Sequence, residues 1–167
     1  MVDKALLENL LQHIPNDVKV TYAGIGTNKN VLDKLGPMVG SMLKEKGHEV
    51  YGTIEKPMHA LTIPKHADEI NSNECVIAID ICDAPNRALY SIHFQQKPIR
   101  PGAGIGKELP AIGHFSIIAV VDKFDVLINN KEKSHYTIKM ANNIVDTIER
   151  FEQIRNEENM RKEDFAF

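Results

Sequence analysis

Apolar and polar positions alternate in two rhythms, one of strands and one of helices, and the clearest change of rhythm lies between Val18 and Lys46. Val18, Val20, Tyr22 and Ala23 form a short apolar run that ends in Gly24-Ile25-Gly26. A polar loop follows, Thr27-Asn28-Lys29-Asn30, and then Leu32, Leu35, Val39, Met42 and Leu43 recur at helical spacing up to Gly47. The pattern predicts strand, glycine turn and helix, with Gly47 as the C-terminal cap. Ahead of this unit, Ala5, Leu6, Leu7, Leu10 and Leu11 mark an amphipathic helix over residues 2–13. Asp3 is placed to cap it, and Ile14-Pro15-Asn16 breaks it.

Beyond Gly47 the alternation continues. A strand is expected over His48–Thr53, a connecting segment at Pro57-Met58-His59-Ala60-Leu61, and a short helix over Pro64–Asn71 with proline at its start. Glu74–Cys82 is the strongest strand of the chain. Its core, Val76-Ile77-Ala78-Ile79, is apolar on both faces, the mark of a central parallel strand covered by helices on both sides. It is read as ending in Asp80. A further strand is expected over Ala88–Phe94, then a loop rich in glycine and proline over Lys97–Pro110, then a buried strand over Phe115–Val121. Ser134 is taken as the cap of a long last helix with its stripe at Ala141, Ile144, Val145, Ile148, Phe151 and Ile154, and the charged tail after Asn156 is expected to fray. This order predicts an α/β fold, a three-layer sandwich with a mainly parallel sheet. At 167 residues it fits one domain with its core over about 18–155.

Composition narrows the partners. With 43% hydrophobic and 26% charged residues and a net charge of −3, the totals contain no basic face for nucleic acid. No apolar run approaches the roughly 20 residues that span a bilayer, and Met1-Val2-Asp3-Lys4 lacks the basic-then-apolar opening of a signal peptide. A cytoplasmic protein with no membrane partner is expected. Cys75 and Cys82 flank one strand, which spans roughly 23 Å over seven residues and sends the two side chains to opposite faces. A disulfide needs α-carbons within about 7 Å, so both are read as free thiols, and their spacing matches no zinc motif.

The candidate chemistry lies in two acids. Asp33 follows the first strand and Asp80 the central one. If those strands are neighbours, both carboxylates reach one rim of the sheet, the edge at which open parallel sheets bind their ligands. Close together they cannot both ionise cheaply, so they can act as base and acid on a water. The same pair could hold a divalent metal with a nearby histidine. In a plainer reading Asp33 only caps the following helix, and Asp83 belongs to a turn with Pro85 and Asn86. The segment Pro101 to Glu108 fails as a P-loop, having proline at its first glycine and Glu108 where Ser or Thr must reach magnesium. Gly24-Ile25-Gly26 lacks the third glycine of a dinucleotide fingerprint, whose place Lys29 takes. Gly102, Gly104 and Gly106 still point to a backbone held close to an extended peptide or to the rim, or else to a tight surface turn. His59, His93 and His114 lie in segments that could reach the rim, and no histidines pair at metal-ligand spacing.

Gly24-Ile25-Gly26-Thr27, Asp33-Lys34-Leu35-Gly36-Pro37, Ala78-Ile79-Asp80 and Pro101-Gly102-Ala103-Gly104-Ile105-Gly106 occur in that order. Together they resemble the germination protease superfamily of spore-forming bacteria, and most of all its smaller sporulation family typified by YyaC. Tyr51-Gly52-Thr53 and Pro57-Met58-His59-Ala60-Leu61 fit that family too. The resemblance covers about residues 18–150 and implies a phosphorylase/hydrolase-like sandwich, shared with the hydrogenase maturation endopeptidases. It implies Asp33 and Asp80 as the catalytic pair and a protein or peptide as substrate. Substrate contacts are expected from Asn28, His59, Gly102, Gly104, Gly106, Lys107 and Glu108. In the hydrogenase endopeptidases the matching rim acids bind nickel with a histidine, and no histidine here takes that place. The chain departs from the family at Asn28, where an acid is usual, at His114 and Ser116, where an acid and a histidine are usual, and after Asp83, which lacks the family's glycines. The expectation is a sporulation-associated peptidase of the germination protease type that needs no cofactor. The alternatives are an inactive member acting as a binding or regulatory protein, and a metal-dependent maturation endopeptidase using Asp33 and Asp80.

Overall fold

Five strands form one sheet in the order β2-β1-β3-β5-β4, with β1 at Val20–Gly24, β2 at Val50–Tyr51, β3 at Cys75–Asp83, β4 at Ile92–Gln95 and β5 at Phe115–Val121. The structure is a computed structural model and describes residues 1–102 and 106–166. The pairs β2–β1, β1–β3 and β3–β5 are parallel, and only the edge strand β4 runs antiparallel. Helices α1 (Lys4–His13), α2 (Leu35–Glu45) and α4 (Asn130–Asp164) cover one face, where Leu10, Leu35, Leu43, Ile144 and Phe151 pack on Tyr22, Ile77 and Ile117. Helix α3 (Ile63–Asn71) and the segments around Met58, Ile99 and Ile112 cover the other, over Ala23, Ala78 and Ile118. This is the expected three-layer α/β sandwich. The run Val76–Ile79 is wholly buried, as a strand with helices on both faces requires.

Period-2 alternation also explains the cysteines. Cys75 packs with the α1/α2/α4 side and Cys82 against the α3 side, and both are free thiols. Asp3 caps α1 by accepting from the Leu6 amide. Past the end of α2, Gly47 takes a left-handed φ of 89° and the His48 amide reaches back to the Leu43 carbonyl.

Four expectations are corrected. Strand β2 is two residues long, because β1 offers it a partner only at Tyr22 and Ala23. Strand β4 begins at Ile92, since residues 84–91 turn the chain back antiparallel to β5. Helix α4 starts earlier than Ser134: Asn129 accepts from the Glu132 amide while the Glu132 carboxylate accepts from the Asn129 amide, a complete capping box. It also runs through the segment expected to fray, as far as Asp164. Arg155, 4% exposed, holds that end by donating to the Pro15 and Val18 carbonyls and to Glu152, and Asn159 donates to the Asn16 carbonyl. Among the described residues no helix is long and apolar enough to cross a membrane.

Candidate active site

The carboxyl ends of β1, β3 and β5 lie side by side along one edge of the sheet, because the three strands are parallel neighbours. The segments that leave those ends therefore converge. After β1 the backbone is squeezed against the start of α2. A Cβ on Gly36 would lie 2.1 Å from the Ile25 carbonyl oxygen, and one on Gly24 would lie 2.2 Å from the Gly36 oxygen. Gly26, at φ 149°, has the Asp33 carbonyl where its own Cβ would be, 2.1 Å away. Only glycine permits this approach. It fixes the Asp33 backbone directly over the end of β1.

The Asp33 side chain does not cap α2. The position before the helix is Lys34, which makes no side-chain cap bond, and the Leu35 amide is satisfied by the Leu32 carbonyl. The plainer reading of Asp33 is thus set aside. Its carboxylate, 29% exposed, meets the ammonium of Lys123 at 3.5 Å.

Asp80 lies inside β3 rather than at its end. Pairing with β1 stops at Gly24 opposite Ile79, while pairing with β5 carries β3 on through Asp80 opposite Ile118 to Asp83. Asp80 therefore stands on the first residue of β3 that β1 leaves uncovered, and its side chain is half-buried. Burial pushes its carboxyl up to about 7 from the usual carboxylate range. The Ile81 amide, donating to Oδ1 at 2.7 Å, and the charge of Lys123 pull it down, and the charge of Asp33 pushes it up. Two carboxylates and one ammonium thus share the edge. Each comes from a different strand of the parallel trio.

Lys123 escaped the sequence reading. Its signal was position: a charged residue directly after the buried strand Phe115–Val121, at the end that faces the acids once β5 is placed beside β3.

The other expected contacts lie elsewhere. Asn28 is exposed and donates from Nδ2 to the Ile54 carbonyl at 2.6 Å, tying the β1–α2 loop to the segment after β2. The Nδ1 of His59 accepts from the Leu61 amide at 3.3 Å inside its own turn. His59 lines a cleft of about 500 Å³ with Tyr51, Met58, Thr62, His66 and Glu69, beside β2. A second cleft, of about 520 Å³, lies between α2 and the Thr53–Glu55 segment. Neither is lined by Asp33 or Asp80. Gly102 and Gly106 take positive φ of 76° and 68°, and the Lys107 amide bonds to the Gly102 carbonyl at 3.0 Å. Lys107 and Glu108 are exposed, and Gly104 lies outside the described residues. The segments that flank these residues pair at the Ile99–Ile112 bridge, beside which Asn71 bonds to Ala111 and Gly113. No described hydrogen bond joins Gly102, Gly106, Lys107 or Glu108 to the acids.

His114 accepts at Nδ1 from the Val76 amide near the start of β3, so it does not reach the rim. His93 pairs with Ile118 in β4, one strand beyond the strand next to Asp80, and bonds to the Ser91 hydroxyl at 2.7 Å. Among the described residues no three His, Cys, Asp or Glu side chains gather as a metal site. Two carboxylates with an ammonium on one of them is not the donor set of a nickel or zinc centre, which draws on imidazole or thiolate ligands.

Residues 1–147 match the model of a family described as protein of unknown function (DUF1256). The chain is 36% identical over 104 residues to the uncharacterized protein YyaC of Bacillus subtilis (strain 168), an alignment covering 59% of this chain and 51% of that protein. It thus spans about half the length of the curated relative it matches. Among solved structures it is similar to the NiFe hydrogenase maturation protease HybD from Thermococcus kodakarensis, with a TM-score of 0.43 and 14% identity over 76% of this chain and 99% of that one.

Proposed function

This chain belongs to the family described as protein of unknown function (DUF1256), and we propose that it is a peptide-bond hydrolase of the germination protease type. Asp33 and Asp80 are its base and acid. The observation that carries the reading is the strand order: β1, β3 and β5 are parallel neighbours, and Asp33, Asp80 and Lys123 stand at their carboxyl ends, where burial pushes the Asp80 carboxyl up to about 7. A carboxylic acid that keeps its proton near neutrality, beside a second carboxylate, is the arrangement that general acid–base hydrolysis needs.

In the proposed reaction Asp33 takes a proton from a water as its oxygen attacks the peptide carbonyl carbon. Asp80 gives its proton to the carbonyl oxygen, leaving a neutral tetrahedral diol. Return of the proton from Asp33 to the amide nitrogen and of a hydroxyl proton to Asp80 then breaks the C–N bond and restores both groups. The substrate is an unfolded polypeptide, such as the small spore proteins that the motif resemblance points to. Exposed Phe124, Val126 and Leu127, directly after Lys123, support an extended chain with apolar side chains near the cleaved bond. Two free thiols support a reducing, cytoplasmic setting.

The test is cleavage of unfolded small spore proteins by the wild type, Asp33→Asn and Asp80→Asn. Loss of cleavage in both variants, with folding intact, is expected, and cleavage that survives both removes the mechanism. One observation favours a second reading, a binding protein without catalysis: the carboxylates line neither of the two clefts. A partner protein bound stoichiometrically and never cut is its mark.

A further inference from the structure

We infer that Lys123 is a positioning residue of the carboxylate pair: its ammonium, 3.5 Å from Asp33, holds that side chain over the sheet edge and lends its charge to both acids. The inference rests on the hydrolase reading for its consequence in turnover, but not for its geometry. An ion pair with both partners partly exposed is ordinarily worth little to stability, so a stabilising role is a weak account of this one. Its placement is specific. Lys123 follows β5, Asp33 follows β1, and the strand between them is the one that carries Asp80.

The loop's own acids do not compete for Lys123. Asp122 and Asp125, the acids on either side, are spent on the loop's own backbone: Asp122 Oδ1 accepts from the Phe124 amide at 2.9 Å and Asp125 Oδ1 from the Leu127 amide at 2.8 Å. Among the described residues Asp33 is the ion-pair partner of Lys123. The charge of Lys123 also bears on Asp80, so one ammonium acts on both acids. The charged groups bearing on Asp80 are Asp33 and Lys123, and the Cys82 thiol, two residues along on the same face, is the other titratable neighbour within β3. Asp83 and Arg87 act on that thiol.

The test uses Lys123→Met and Lys123→Arg with two readouts. The first is the pH titration of the Asp80 carboxyl carbon, followed by NMR in the whole protein. Its midpoint is expected to rise in Lys123→Met, which has lost a nearby positive charge, and to stay near the wild-type value in Lys123→Arg. The second is the pH profile of kcat/KM on unfolded small spore proteins. The alkaline limb, set by loss of the Asp80 proton, is expected to move with the first readout, and kcat to fall about tenfold in Lys123→Met through misplacement of Asp33, with Lys123→Arg restoring both. An Asp80 midpoint that does not move in Lys123→Met overturns the inference, whether or not the protein hydrolyses anything. A midpoint that moves as expected in a protein that cleaves no peptide upholds Lys123 and defeats the hydrolase reading instead.

Discussion

Gly36 lies so close to Ile25 that a Cβ added to it would sit 2.1 Å from the Ile25 carbonyl oxygen. This contact, with the matching one between Gly26 and Asp33, locks the first turn of α2 onto the end of β1 and thereby positions an acid. Gly36→Ala forces the two backbones apart and is expected to cost about 1–3 kcal/mol of stability. Chemical denaturation measures that loss. Because the displaced backbone carries Asp33, peptide cleavage is expected to fall further than the loss of folded protein explains.

Asp80→Asn is expected to stabilise the protein at alkaline pH. The folded chain holds the Asp80 proton up to about 7, whereas the unfolded chain releases it in the ordinary carboxylate range. Between those limits the native state binds more protons, so stability falls as pH rises, and the whole penalty stands above neutrality. Asparagine never ionises and can still accept from the Ile81 amide. Thermal melts at pH 8 are expected to show the variant ahead, by a few kcal/mol at most, with the difference gone near pH 4. The same substitution is expected to abolish the proposed cleavage, so stability and activity are expected to move in opposite directions at one residue.

The start of α4 offers a sharp contrast. Asn129→Ala removes half of the capping box and is expected to cost about 1 kcal/mol. Ser134→Ala, inside the helix, is expected to change stability by less than about 0.5 kcal/mol. Urea titration of the two variants side by side checks the assignment.

Arg155→Ala leaves half-buried Glu152 beside Tyr22 without its cation and strips donors from the Pro15 and Val18 carbonyls. A loss of about 3–5 kcal/mol is expected. Hydrogen exchange is expected to show the end of α4 opening first.

The fold was legible where one rhythm held for long enough. Phe115–Val121 and the buried run Val76–Ile79 announced themselves, since strands covered on both faces carry apolar residues at every position. The cap at Asp3 was legible because an acid stood directly before an apolar stripe. The start of α4 was not, because the Asn129–Glu132 box lies just beyond Leu127-Ile128 with no stripe yet begun. Its far end was missed because the hold on Arg155 and Asn159 comes from residues 15–18, and no local pattern reports a contact across the whole chain. At the site, the two acids were visible from their places after apolar runs, and the structure brings both to one edge. Lys123 needed the strand order itself, since it joins the acids only once β5 is known to flank β3.

The most direct test of a carboxylate pair divided into acid and base is the titration of the Asp80 carboxyl carbon by NMR in the wild type and in Asp33→Asn. The expected result is a midpoint near 7 in the wild type that falls when the Asp33 charge is removed. A wild-type midpoint in the ordinary carboxylate range, unmoved by Asp33→Asn, would contradict the account.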